Sequence, residues 1–189
     1  KIMERSMESQ EIKLDVLAIA AHRDDTEITC GGTMIKFVDL GYAVGILDLT
    51  AGEAGTRGDA ETRAEEAKCA SEVIGLKYRH NLELPDAGLF LTQEYALKIA
   101  EIIRQTTPEL VILPYWRQRH PDHAMASEIG CRGCFLSGLA KMPISRKAYR
   151  PRKIIYSSSF LDLEHSFVVD ITAQFERKCR AVACYETQF

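Results

Sequence analysis

The chain has no apolar run near the ~20 residues that a membrane-spanning helix needs, and its opening KIMERSMESQ lacks the apolar core of a signal peptide. No membrane partner is expected, and the sequence reads as a soluble, cytoplasmic protein. It also lacks any stripe of Lys and Arg interleaved with aromatics, and with a formal net charge of -3 it offers nucleic acid no obvious docking face. The P-loop pattern and the dinucleotide GxGxxG spacing are both missing, which weighs against a metal-free nucleotide-binding module. Repeats, low-complexity segments and interdomain linkers are absent. Cysteine is scarce in pattern if not in number. Of six, Cys131 and Cys134 form a lone CxxC with no second pair, so burial as small hydrophobes is the expected role. A core of this size does not call for disulfide staples.

What is present is a chain of 189 residues, 46% hydrophobic and 27% charged, able to bury about two-thirds of its unfolded surface. One domain over residues 14–189 is expected. The chain stops at YETQF, straight after a helix with no later element to pack against, so a missing C-terminal portion is also expected.

Continuous apolar runs mark strands covered on both faces: DVLAIAA (15–21), AVGILDLT (43–50) and ELVILPY (109–115). YRHNLEL reads as a weaker strand, and KIIYSSS and FVVDI as two more. Helices are expected from Thr26 to Leu40, stopped by Gly41, over AETRAEEAKCASEVIG behind an Asp59 cap, and over QEYALKIAEIIRQ behind a Thr92 cap. Another runs through the apolar positions Ala126, Ile129, Phe135 and Leu136, and a last one carries Phe175 and Val182. Alternation of this kind predicts an α/β architecture: a Rossmann-like, mostly parallel sheet flanked by helices.

Two polar knots interrupt this pattern, HRDD at 22–25 and HPDH at 120–123. Each lies just beyond the carboxyl end of an apolar strand, where open α/β sheets place their ligands. Taken singly, a His or Asp there is a cap or a turn residue. Taken together, the knots hold more than the three ligands that leave a zinc ion one position for water. A spare Asp can take a proton from that water, and a spare His can face a developing oxyanion or protonate a leaving nitrogen. His80, His165, Asp48 and Asp170 stand outside any cluster and are assigned no chemistry. Arg57, among the glycines of GEAGTRGD, reads as a substrate contact or a solvated turn residue; Asp86 in LPDAG reads as a turn former or an acceptor for hydroxyls.

AHRDDTE and HPDH resemble the paired signatures of the LmbE-like (PIG-L) zinc-dependent N-deacetylases, AHPDD with an acidic residue shortly after, and a later HPDH. The resemblance runs from about Leu14 to the end of the chain. GILDLTAGEAGTRG, NLELPDAG and FLSGL look most like the bacillithiol-biosynthesis deacetylases, which act on N-acetylglucosaminyl malate. It implies His22, Asp25 and His123 as ligands of Zn2+ or another divalent metal, and Asp24 as general base. It implies His120 as oxyanion stabiliser, and Asp122 as a carboxylate that orients a histidine of the knot. Arg57 would meet the polar or anionic part of the substrate, and Asp86 the sugar hydroxyls. The substrate would be a small N-acetylglucosamine conjugate. The family alone implies a homo-oligomer, of which a hexamer is one form. Another N-acetylglucosamine derivative as substrate, and a non-catalytic sugar-binding protein of the same fold, are the alternatives. In one place the chain departs from the family pattern: Arg23 stands where proline is usual, which leaves the metal loop less preorganised.

Overall fold

The computed structural model describes residues 12–158 and 163–189. Its strands are β1 (Val16–Ala20), β2 (Val44–Thr50), β3 (Tyr78–Leu84), β4 (Leu110–Pro114) and β5 (Lys153–Ser157). They form one parallel sheet in the order β3-β2-β1-β4-β5. Between and after them run α1 (Asp25–Asp39), α2 (Ala60–Ile74), α3 (Gln93–Thr106), α4 (Pro121–Ser137) and α5 (Phe175–Ala183). The Rossmann-like α/β architecture expected from the pattern of runs is the one observed.

Strand residues alternate between two cores, because successive side chains point to opposite faces. Leu17, Ile19, Leu47 and Leu49 face α3 and α4, where they meet Ile99, Ile103 and Ile129. Val16, Ala18, Ile46 and Ile112 face the other way, onto Met34 and Ile35 of α1, Ile74 of α2 and Ala181 of α5. Each of the larger side chains contributes about 1.5–3 kcal/mol by leaving water. Both faces are covered, which is why β1 and β4 read as unbroken apolar runs and β2 as one interrupted only by the buried polar residues Asp48 and Thr50. The caps act as read: Asp59 accepts a hydrogen bond from the Thr62 N–H at 2.7 Å, and Thr92 from the Tyr95 N–H at 3.1 Å.

Three expectations are corrected. FVVDI (167–171) is not a strand. Its residues pair with no strand edge among the described residues, and a β-branched run becomes a strand only where an edge receives it. The Asp170 carboxylate instead accepts from the Thr172 N–H at 2.9 Å, turning the chain into a short 3-10 helix (Thr172–Gln174). Phe135 is 55% exposed. It lies off the stripe of Ala126, Ile129, Gly133 and Leu136 that α4 turns inwards, with the Arg150 guanidinium 4.9 Å from its ring centroid. The last helix, α5, packs on the earlier helices α1 and α2. Finally, the cysteines are not all small hydrophobes. Cys134 is buried but Cys131 is exposed, and Cys69 of α2 is disulfide-bonded to Cys184, directly after α5. Neither partner falls in a recognisable spacing, so only the packing of α5 on α2 brings them together. Among the described residues no helix is long and apolar enough to cross a membrane.

Candidate metal centre

The chain lays β1, β2 and β3 side by side in one direction, then returns to place β4 on the other flank of β1. The carboxyl ends of β1 and β4 therefore diverge into a crevice, the switch point where sheets of this kind hold ligands. HRDD leaves β1 on one side of it, and HPDH enters α4 on the other. In the first loop the His22 N–H donates to Asp25 Oδ2 at 2.9 Å, and the Ile28 N–H to the Asp24 carbonyl at 3.1 Å, so the helix starts within a few residues of the strand. In the second, Pro121 occupies the first helical position, where its fixed φ suits the turn and its missing N–H costs nothing.

The two knots meet. His22 Nδ1 lies 3.2 Å from His123 Nε2, although the residues are 101 apart in sequence. The Asp25 carboxylate completes the group, with Oδ2 3.4 Å from His22 Nδ1 and Oδ1 3.1 Å from His123 Nε2. Bonds of about 2.0–2.1 Å in tetrahedral array put donor atoms about 3.3–3.4 Å apart, so these three side chains have the spacing that a small divalent cation requires. His120 brings a further imidazole, its ring stacked on His123 with centroids 4.7 Å apart. Ring nitrogens of His22, His120 and His123 fall within 4.8 Å of one another.

Proton affinities follow from this crowding. Burial opposes a charged His22, but the hydrogen bond and charge of Asp25, aided by Asp86 and Asp24, override it and raise the imidazole to about 9. Burial likewise opposes a charged Asp25, yet hydrogen bonds from His123 and His22 hold its carboxyl below the usual carboxylate range. Asp24 moves the other way, raised by burial and the neighbouring charge of Asp25 against the pull of Arg63. Burial and the nearby His123 and His22 lower His120.

Asp86 and Asp122 sit behind His22. Asp86 Oδ1 is 3.1 Å from His22 Nε2, and Oδ2 accepts the Ala54 N–H at 3.0 Å. The carboxylate that the motif assigns to sugar hydroxyls is thus turned onto a histidine of the cluster. Asp122 Oδ2 is further from His22 Nε2, at 3.8 Å, and the Asp122 carboxylate accepts N–H bonds from Ala87 at 2.8 Å and Leu89 at 3.3 Å. Ala87 holds a φ of 55° in this turn, a left-handed conformation that a residue with a Cβ adopts at a cost. Here it aims one N–H at two carboxylates, since the same group also lies 2.9 Å from Asp86 Oδ1. Arg57 is exposed on the loop after β2, at the same sheet edge, and its carbonyl accepts from Gln188 Nε2 at 3.0 Å.

Arg23 points away from the cluster. It is 8% exposed, and Nη1 donates to the Ala60 carbonyl at 2.5 Å and lies 3.5 Å from that of Ala51, the two ends of the loop that carries Arg57. Its own carbonyl accepts from Arg79 Nη2 and the Tyr185 hydroxyl. Sequence reasoning missed the structure beneath. Arg79 of β3 forks onto Asp48 of β2 at 2.8 and 3.0 Å and reaches Glu27 of α1 at 2.7 Å, and the Tyr185 hydroxyl also donates to Glu27 at 3.0 Å. An arginine inside a strand, and an acidic residue shortly after HRDD, were the available signals. Asp48 is no isolated acid, whereas His80 and His165 are exposed, and Asp170 caps its turn and accepts at its carbonyl from Lys36 Nζ of α1.

Residues 17–132 match the family model PIG-L, GlcNAc-PI de-N-acetylase. The chain belongs to this family of de-N-acetylases. It is 34% identical over 187 residues to the diacetylchitobiose deacetylase of Thermococcus kodakarensis, covering 92% of this chain and 70% of that protein. The conserved protein TT1542 of Thermus thermophilus superposes with a TM-score of 0.90 at 39% identity, over 93% of this chain and 80% of that one. The N,N'-diacetylchitobiose deacetylase of Pyrococcus horikoshii does so with a TM-score of 0.84 at 26% identity, over 92% and 70%.

Proposed function

We propose that this protein hydrolyses the acetamide of an N-acetylglucosamine conjugate, releasing acetate and a free amine. One observation carries the reading: donor atoms of His22, Asp25 and His123, from loops on opposite sides of the crevice, converge at 3.1–3.4 Å, while Asp24, its Oδ1 3.4 Å from Arg63 Nη2, is near enough for its charge to act on His22. In this reading the three hold zinc or another divalent cation, which when bound polarises the amide carbonyl and acidifies water.

The chain's own groups have separate tasks. Asp24 is the base that takes a proton from water, and burial beside Asp25 makes it a stronger one. Asp86, 3.1 Å from His22 Nε2, fixes that ring so that Nδ1 faces the cluster. Nδ1 of His120 accepts the Asp122 N–H at 3.3 Å, which leaves its proton on Nε2 to face the developing oxyanion or the departing nitrogen. Asp122 holds the LPDAG turn against the cluster. Arg57, on an exposed glycine-rich loop at the same edge, supplies a guanidinium for an anionic part of the substrate.

Asp24→Asn is the test. Its turnover should fall at least about a hundredfold while the protein retains one equivalent of zinc; full turnover with normal zinc would overturn the assignment of the base. For the particular substrate we favour N-acetylglucosaminyl malate, the bacillithiol precursor, because Arg57 offers a partner for the malate carboxylates. Diacetylchitobiose is the second reading, supported by the 34% identity to an enzyme of that name. Competition between the two glycosides separates them: preference for malate that collapses in Arg57→Ala supports the first, and indifference to malate the second. Arg23 counts against a non-catalytic reading, because its guanidinium is engaged with backbone carbonyls and leaves the cluster's donors facing one another.

A further inference from the structure

Beside the cluster, on the α1 side of the crevice, lies a cavity of about 110 Å³. Asp25 and His123 line it, and the rest of the wall is mostly apolar, with Ala18 and Ala20 of β1, Ile28 of α1, and Ile112 and Pro114 of β4, beside a few polar side chains that include Thr26 and Gln118. Two of the wall's hydroxyls are already engaged. Thr29 Oγ1 donates to the Asp25 carbonyl at 2.8 Å, and Ser157 Oγ lies 3.3 Å from Thr29 Oγ1 and 3.4 Å from the Leu113 carbonyl. Resting on the function proposed above, we infer that this cavity receives the acyl group of the substrate, and that it admits chains longer than acetyl, up to about four carbons.

Size and chemistry both point this way. An amide carbonyl placed between Asp25 and His123 has two substituents to accommodate. The amine side carries a sugar, larger than benzene and rich in hydroxyls. An apolar cavity of about 150 Å³ is filled by benzene, so the smaller cavity here excludes a pyranose, whose hydroxyls would also find few partners on this wall. The acyl side fits. A methyl group occupies only a fraction of the space, and vacant volume lined by alanine, isoleucine and proline gains from each methylene added until the back wall is met. Hydrolysis is unchanged in its balance: water oxygen bonds to the acyl carbon, the C–N bond breaks, and the proton goes to the departing nitrogen.

The test compares acids and amides of increasing length. In calorimetric titrations of the zinc-loaded protein, propionate and butyrate should bind more tightly than acetate, by about fourfold per methylene, with no further gain at hexanoate. Thr29→Leu, which fills the cavity from α1, should remove that gradient while zinc content stays at one equivalent. N-butyrylglucosamine should be cleaved with a kcat/KM at least equal to that of N-acetylglucosamine. Equal or falling affinities from acetate to butyrate, or a butyryl amide cleaved ten times more slowly than the acetyl amide, would overturn the inference. Absence of turnover on every N-acylglucosamine, with the acid gradient intact, would instead overturn the function and leave the cavity assigned.

Discussion

His22 is the residue on which the centre turns, because both its nitrogens are committed, Nδ1 towards Asp25 and His123 and Nε2 to Asp86. With its pKa raised to about 9, it carries a proton at neutral pH that a cation must displace. The sign is fixed by that exchange: cation affinity rises with pH and levels off above about 9. Zinc affinity measured by chelator competition should therefore rise about tenfold between about pH 7 and pH 8. A flat profile would mean that His22 is already neutral. The identities at this scale were legible because HRDD and HPDH concentrate ligand-type side chains that an apolar strand end does not otherwise need. Asp86 was legible as a polar turn residue but not as the partner of His22, since that depends on where β3 ends relative to β1. The direction of Arg23 was equally invisible, for a sequence cannot say which carbonyls lie within reach.

Between elements, the weight falls on Arg79, which joins β3 to β2 through Asp48 and to α1 through Glu27. Burial raises Glu27, with Arg79 opposing; burial also works against a charged Arg79, but Asp48 and Glu27 override it and keep the guanidinium protonated. Removing one member of such a buried set leaves the others unpaired, a loss of about 3–5 kcal/mol. Arg79→Met should lower unfolding stability by that amount in urea, and loosen zinc binding as well because the Arg23 carbonyl loses a donor. A change below about 1 kcal/mol would show the network to be solvated. Strands and helices were legible from apolar runs and caps wherever both faces of the sheet are covered. FVVDI misled because β-branched composition was present without an edge to receive it. The Arg79 set escaped notice because its members are spread over three elements.

Across the whole molecule, the residues after α5 tie distant parts together. Cys184 bonds to Cys69 of α2, Tyr185 is buried against the metal loop, Thr187 binds Glu66 through its N–H at 2.8 Å and its hydroxyl at 2.9 Å, and Gln188 holds the carbonyl of Arg57. The disulfide spans 115 residues; closing so long a loop restrains the unfolded chain by about 2–4 kcal/mol. Cys184→Ser should lose that much stability in chemical unfolding, and an unchanged midpoint would show that the bond adds nothing. None of this could be read from cysteine spacing, since the pair is formed by the docking of α5. The Tyr185 hydroxyl reaches the Arg23 carbonyl across 162 positions of sequence. Thiol chemistry at one end of the fold is thereby audible at the other: a reductant that never meets the ligands should quicken amide exchange in the first turn of α1.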